Sequence, residues 1–442
     1  MIISTLELVS LLFLTKNWNI KLDTLLNKHL MNSPIYKILH IKTGLLLLCT
    51  LLSLNSTAQI ESTLCGADYQ IDSTETKDLR LSVENMNFFK DNEFAGSVMK
   101  GYSLPGLWVI PQLTYQPLDN IKLEAGMYAL MYHGAYKYPN YAYQDIAKWK
   151  GNQYQKGAHL LPIFRAQLAL HNTNIIIGHL YGGETHQLIL PMYNPELNLT
   201  ADPGNGVQVL FDTRLLHLDA WLNWESFIFD NSTHQESFIV GLSSRIKFNR
   251  PEAKCHFYMP IQGLAQHRGG EQDTARSVQT LMNGAIGAGM RWNINRPAVK
   301  WVNFEADLLG YYEQAGDIWP FAGGSAQMLS AEIMFAHNLH LCANYFHSNQ
   351  FISMLGSPYF GSVSTKNLGA KYCGHPQTLH IAFDYSRTFG KFYAFGAKAE
   401  AYYVKPGDMT EADGPITPTN GNFNSSFGVY FRINPSFLLK KF

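Results

Sequence analysis

The chain has 442 residues, zero formal charge, only 15% charged residues and 13% aromatics, a length that suits two or three ordinary domains or one large barrel. The charge balance excludes polybasic nucleic-acid binding, which needs a clustered excess of Lys and Arg. Few charges beside many aromatics fit a protein whose surface does not all face water.

The first readable element is MNSPIYKILHIKTGLLLLCTLLSLNSTAQ at 31–59. Lys37 and Lys42 form a positive start, Gly44 to Leu54 form an apolar core, and Ser56 and Ala58 are the small residues of a cleavage site. The core is too short to span a bilayer as a mature helix. The expectation is a start at Met31, with 1–58 comprising an N-terminal extension and a secretory signal cut after Ala58. A periplasmic segment at 59–77 and a barrel over 78–442 would follow. Cys49 and Cys65 each follow a leucine, where lipid attachment prefers a small residue. Of the exported cysteines, Cys65, Cys255, Cys342 and Cys373, none sits in a CxxC pair or near a histidine at metal spacing, so a zinc site has weak support and one disulfide stays open.

From residue 78 the dominant period is two. In IKLEAGMYALMY (121–132), Ile121, Leu123, Ala125, Met127, Ala129 and Met131 oppose Lys122, Glu124, Tyr128 and Tyr132. LHLDAWLNWESF (216–227), VNFEADLLG (302–310) and TLHIAFDYS (378–386) repeat the alternation. Such strands have one apolar and one polar face. Their length, near ten to thirteen residues, suits a tilted membrane-spanning strand better than a soluble sheet.

Short links fall at PLDN (117–120), HNTN (171–174), DTRL (212–215), NRPEAK (249–254), NRPAVK (295–300) and HNLH (337–340). Their Asn, Asp and Pro suit tight turns. Long segments lie between them at 133–157, 184–204, 266–279 and 312–323. This alternation predicts an all-β fold, a closed antiparallel transmembrane barrel of about 16 strands, with 14 to 18 compatible, short periplasmic turns and long outer loops. The last third breaks the rhythm: SRTFGKF (386–392) is short where the count expects a long link.

The chain ends FGVYFRINPSFLLKKF. With the signal segment and the alternating strands, this resembles Gram-negative outer-membrane β-barrels, and porin-like barrels of the Bacteroidota type most of all. The resemblance is one of architecture and covers 78–442. It implies that an aromatic last residue serves the barrel-assembly machinery. Pro435 interrupts the final alternation, so either Phe431 or Phe442 closes the last strand.

No GxSxG, HExxH or glycine-rich phosphate loop occurs, and no cofactor or metal is expected. HNLH reads as a turn, not a ligand pair. Charges on the polar faces would cost roughly 2–4 kcal/mol each against lipid at the bilayer midplane. They are therefore expected inside, and Arg165, Arg245, Lys247, Arg291, Arg432, Asp219, Glu225, Glu305, Asp307 and Asp384 are the candidate pore-lining residues. Lys398, Glu124, Glu332 and Glu400 share those faces. Trp108, Tyr115, Trp292, Phe335 and Tyr403 read as interfacial girdles.

In the loop at 182–206, Leu188, Leu190, Met192 and Tyr193 belong to an apolar run that would fold into the lumen as a constriction, cover the rim or meet a partner. Tyr136, Tyr138, Tyr141, Tyr143 and Trp149 crowd the outer loop HGAYKYPNYAYQDIAKWKGNQYQKG, beside lysines suited to lipopolysaccharide phosphate. The first expectation is a channel for passive diffusion of small polar solutes, not an enzyme. The alternatives are a non-channel barrel serving as a binding or assembly subunit of a surface complex, and an outer-membrane hydrolase. Expected partners are membrane lipid, lipopolysaccharide, the assembly machinery and small polar solutes, with no nucleic acid. A homo-oligomer is possible.

Overall fold

In the computed structural model, residues 63–133, 159–227, 235–270, 277–317, 319–366, 371–373, 375–410 and 414–442 are described. The expected signal segment and the expected outer-loop aromatics Tyr136, Tyr138, Tyr141, Tyr143 and Trp149 lie outside them.

The wall begins with β1 (Asp78–Glu93), β2 (Tyr102–Leu118), β3 (Ile121–Tyr132), β4 (His159–Leu170), β5 (Thr173–His179), β6 (Asn205–Asp212) and β7 (Leu216–Ser226). It continues through β8 (Ser237–Lys247), β9 (Cys255–Arg268), β10 (Gln279–Asn293), β11 (Val299–Ala315), β12 (Gly323–Phe335) and β13 (Leu339–Asn349). A short β14 (Lys371–Cys373) precedes β15 (Gln377–Phe389) and β16 (Tyr393–Val404). After β17 (Gly407–Thr410) and β18 (Thr417–Thr419) come β19 (Asn422–Ile433) and β20 (Ser436–Lys441). Each wall strand pairs antiparallel with its neighbours, and β1 closes the ring by pairing with both β2 and β19. Three short strands, β14, β17 and β18, form a separate small sheet among the loop segments.

The last wall strand settles the C-terminal question. Asn85 faces Ile433 and Ser82 faces Ser436, so β19 and β20 keep one register along β1. Pro435 breaks the strand only locally, since it lacks an N–H for the ladder. Its carbonyl still accepts from Val83 N–H at 3.0 Å. The Phe442 N–H donates to Lys77 O at 2.9 Å, so pairing runs to the chain end. Counting β19 and β20 as one gives a closed barrel of 16 strands.

Short links at 119–120, 171–172, 213–215, 248–254, 294–298, 336–338 and 390–392 lie at one end of the barrel, with the start of β1 and the end of β20. Left-handed backbone at His171, Asn295, His337, Asn338 and Gly390 makes several of these turns tight. The strand ends that the longer links join, after β1, β3, β5, β7, β9, β11, β13 and β16, lie at the other. The parity break near 386–392 disappears. The segment 350–376 is a long link that an apolar run disguises as strand, so 390–392 falls where a short turn belongs.

Alternation sorts the side chains as the period predicts. Leu113, Phe164, Ile177, Leu308, Leu329 and Phe383 are exposed on the outer wall, where lipid covers them. The opposite set points inward. One expectation fails here. Trp108 is inward, donating from Nε1 to Asn198 O at 3.1 Å. It shares the even-numbered face of β2 with Leu104, Ile110 and Gln112, whereas Tyr115, Trp292 and Tyr403 are on the outer wall.

Candidate functional site: the lumen

Loop 180–204 turns into the barrel, and wall amides replace the water its backbone loses. Gln208 donates from Nε2 to Tyr181 O (3.0 Å) and accepts from Tyr181 N–H at Oε1 (2.9 Å). Gln262 treats the next stretch alike, accepting from Ile189 N–H (3.0 Å) and donating to Gln187 O (2.9 Å). His186 Nδ1 lies 2.8 Å from Asp219 Oδ2, and its ring stacks on Trp221 with centroids 3.6 Å apart. Trp221 reaches that position because Gly241 lies beneath it, where a Cβ would collide with the indole.

Glu196 is the second tether. Lys90 Nζ lies 2.8 Å from its Oε2, Asn92 Nδ2 donates to the same oxygen at 3.2 Å, and the Tyr102 hydroxyl donates to Oε1. Lys90 also lies 3.7 Å from Glu400, which meets Lys398 at 3.0 Å and His380 Nε2 at 3.4 Å. Buried charges are tolerable here because they alternate in sign and are hydrogen-bonded. Beside them a cavity of about 40 Å³, lined in part by Leu64, Lys90, Glu196 and Glu400, has room for little more than water.

Loop 350–376 fills the other side. Phe351, Ile352, Met354, Tyr359, Phe360 and Val363 are buried with Met192 of the first loop and with Val98 and Met99 of loop 94–101. Trp221, Ile239, Leu264, Leu281, Leu309, Tyr311, Met328 and Phe346 meet them from the wall. The two loops are joined directly, Ser353 Oγ donating to Pro191 O at 2.6 Å and Asn194 N–H to Leu355 O at 2.8 Å. From below, Leu64 is buried among Met86, Phe88, Leu104 and Leu130. Arg432 Nη1 donates to Gly66 O (3.1 Å), and Gln167 Nε2 to Tyr69 O (2.6 Å). Residues 63–70 therefore lie within the barrel rather than wholly below it, because wall side chains satisfy their backbone there.

The apolar run goes the same way. Met192 is fully buried, Leu188 and Leu190 pack on the loop core, and the Tyr193 hydroxyl donates to Asn198 Oδ1 at 3.2 Å. Desolvation raises the Tyr193 phenol well above its ordinary range, so it stays neutral.

All ten predicted charges stand on inward faces, but they separate into different settings. Arg165 pairs with Glu124, donates to His179 O at 2.7 Å and lies 3.9 Å over the Tyr181 ring. Lys247 pairs with Asp212 at 2.7 Å near the short-turn end. Glu225 is exposed near the long-loop end and accepts from Ser237 Oγ at 2.7 Å. Asp219 and Arg432 hold the inserted segments, as above. His340, the last residue of HNLH, lies 2.8 Å from Asp384 and 3.6 Å from Glu332.

The remaining four share one patch. Arg245 lies 4.7 Å over the Tyr258 ring and Arg291 lies 4.4 Å over Trp301. The Tyr258 hydroxyl is 2.6 Å from Glu305 Oε2 and 2.9 Å from Asn303 Oδ1. Arg245, Arg291, Glu305 and Asp307 make no ion pair within 4.0 Å among the described residues. The buried Asp307 Oδ2, Ser330 Oγ and Arg291 Nε have no hydrogen-bond partner. Arg245, Arg291, Glu305 and Glu332 are partly exposed, unlike the loop core above them.

Sequence reasoning missed Glu196, His186 and the whole inserted loop 350–376. The last had a signal, since FISMLGSPYFGSV (351–363) is apolar without alternating, like the run at 188–193. Among the described residues no group of His, Cys, Asp and Glu is arranged to hold a metal. A furrow of about 570 Å³ in the wall is lined mainly by apolar residues such as Phe304, Ala306, Leu329 and Ala331, with Glu305, Ser330 and Asn344 also bordering it.

A family model described as lipid A 3′-O-deacylase-type matches residues 71–442, most of the chain. The chain belongs to that family. No curated protein matches this lipid A 3′-O-deacylase-type chain. Solved structures similar to it include OccAB3 of Acinetobacter baumannii, at 9% identity and a TM-score of 0.45 over 81% of this chain and 100% of that one. OprD of Pseudomonas aeruginosa matches at 9% identity and 0.45 over 85% and 99%. OccK8 (OprE) of the same organism matches at 10% and 0.45 over 82% and 99%. With its strands closed into one antiparallel ring, this family member is a 16-strand β-barrel whose lumen is largely filled by its own loops.

Proposed function

We propose that the protein is an outer-membrane channel for small polar solutes, closed in the described conformation by loops 180–204 and 350–376. One observation carries this reading. Below the apolar plug the inward wall keeps Arg245, Arg291, Glu305 and Asp307 out of ion pairs among the described residues, the first three partly exposed and Asp307 buried. A permanently sealed core gains nothing from such groups, because unpaired charges in a low-dielectric interior cost several kcal/mol each. A water path that opens when the loops move has a use for them. Export through the signal segment at 31–58 belongs to the same proposal.

Planar-bilayer recording tests it. The native protein is expected to be mostly silent with rare steps, and a variant with a charged residue in the plug, Met192→Asp, to conduct often. Silence from both, with folding confirmed, would remove the channel.

A second reading, acyl-ester hydrolysis on an outer-leaflet lipid, is favoured by the family match and by one pair on the lipid-facing wall. His267 Nδ1 lies 2.9 Å from Thr280 Oγ1, at the long-loop ends of β9 and β10. An imidazole beside a hydroxyl is the minimal base and nucleophile for acyl transfer. Fatty acid released from lipid A by the folded protein, and lost in Thr280→Ala, would support it. No release would dismiss it.

A further inference from the structure

We propose that the lumen wall between β8 and β12, on the short-turn side of the plug, binds a small zwitterion carrying both a carboxylate and an ammonium group, such as an amino acid or short peptide. The site joins two guanidinium groups to two carboxylates without letting them pair. Arg245 and Arg291 are held over aromatic rings, at 4.7 and 4.4 Å, which fixes both without neutralising either. Glu305 is fixed by the Tyr258 hydroxyl, and Tyr258 lies flat because Gly289 leaves room where a Cβ would collide. Asp307 stands two residues farther along the same inward face, only 3% exposed, with Oδ2 unpartnered. Ser330, opposite Glu305 in the register, is 8% exposed, with an unpartnered Oγ.

The charges lie within electrostatic reach of one another yet beyond contact. The aromatic rings and the Tyr258 hydroxyl hold the opposite charges short of ion pairing, which leaves them open to a partner that bears both signs. Water fits, and a zwitterion fits better. Its carboxylate replaces water on two guanidinium groups, which present planar forks to such an anion. Its ammonium group supplies donors to Asp307 and Glu305, favouring their ionised forms, in which they act purely as acceptors. A simple anion would leave the acids uncompensated, and a simple cation would leave the arginines so. The wall therefore discriminates by requiring both charges at once. This inference rests on the channel reading only in making the zwitterion a transported solute, because the site opens below the plug and binding needs no passage through it.

Calorimetric titration of the full-length protein, folded in detergent at about 20 mM salt to limit screening, tests the site with three probes. Glycylglycine carries both charges, N-acetylglycinate only the negative one and glycinamide only the positive one. Glycylglycine is expected to bind at least about tenfold more tightly than either, a difference of about 1.4 kcal/mol. Arg291→Gln and Glu305→Gln should each erase most of that preference while the unfolding temperature stays near native. Asp307→Asn provides a second acid variant if Glu305→Gln fails to fold. Equal binding of the three probes, or no heat from any, would overturn the site. A silent bilayer with glycylglycine binding intact would overturn the channel and leave the site standing.

Discussion

At the scale of single residues, the plug depends on groups whose loss leaves a buried charge or fills a needed gap. Glu196 takes Lys90, Asn92 and Tyr102 onto one carboxylate. Glu196→Ala would leave the Lys90 ammonium, only 8% exposed, with Glu400 at 3.7 Å as its remaining carboxylate, at a cost of about 1.5–3 kcal/mol. The expected outcome is a lower unfolding temperature by circular dichroism with more frequent channel steps. Unchanged values of both would show that the tether is idle. Gly241 offers a contrasting test, because nothing charged changes there. Gly241→Ala would push Trp221 off the wall and out of its stack with His186. Such overpacking costs about 1–3 kcal/mol, measurable as earlier thermal unfolding.

At the scale of elements, the inserted loops and the final strand carry the behaviour. Loops 180–204 and 350–376 are bonded to each other as well as to the wall, so removing one should loosen the other. Replacing 351–363 by a short Gly/Ser link is expected to expose Met192 and turn rare steps into steady conductance in bilayer recordings. Continued silence would mean that loop 180–204 seals the lumen alone. The final strand makes a different prediction. Ser436–Lys441 pair with the start of β1, which otherwise pairs there only with β2. Deleting 436–442 should leave an open edge at the closing seam. The expected result is slow or failed assembly, read as loss of the heat-modifiable band on a denaturing gel.

At the scale of the whole molecule, the lumen is divided. The half under the long loops is filled by the plug and its paired charges, and the half toward the short turns holds Arg245, Arg291 and Glu305 without ion pairs among the described residues. Native cysteines can report this division. Cys342 stands on the inward face of β13 and is partly exposed, while Cys255 is exposed at the short-turn end of β9. A membrane-impermeant thiol reagent added on the short-turn side should modify both, Cys255 faster. Added only on the long-loop side of reconstituted vesicles, it should leave Cys342 untouched. Labelling of Cys342 from that side would mean that the plug leaks.

What the sequence by itself determined is whatever repeats along the chain. Alternation of period two sorted lipid-facing from inward residues on nearly every strand, because a side chain has only two faces to choose between. The same alternation put all ten candidate charges inside, and Asn- and Pro-rich links marked the short turns, including HNTN and NRPAVK. Trp108 was misassigned because an indole suits both a membrane interface and a loop core. Only the tertiary structure decided what fills the barrel. Whether 188–193 or 351–363 folds inward depends on distant partners: Gln262, Asn283 and Thr378 on the wall, and each loop on the other. Those contacts join residues far apart in the chain, and no local period encodes them. Leaving Arg245, Arg291, Glu305 and Asp307 unpaired is likewise a matter of spacing across strands, decided by register and barrel width and not by composition.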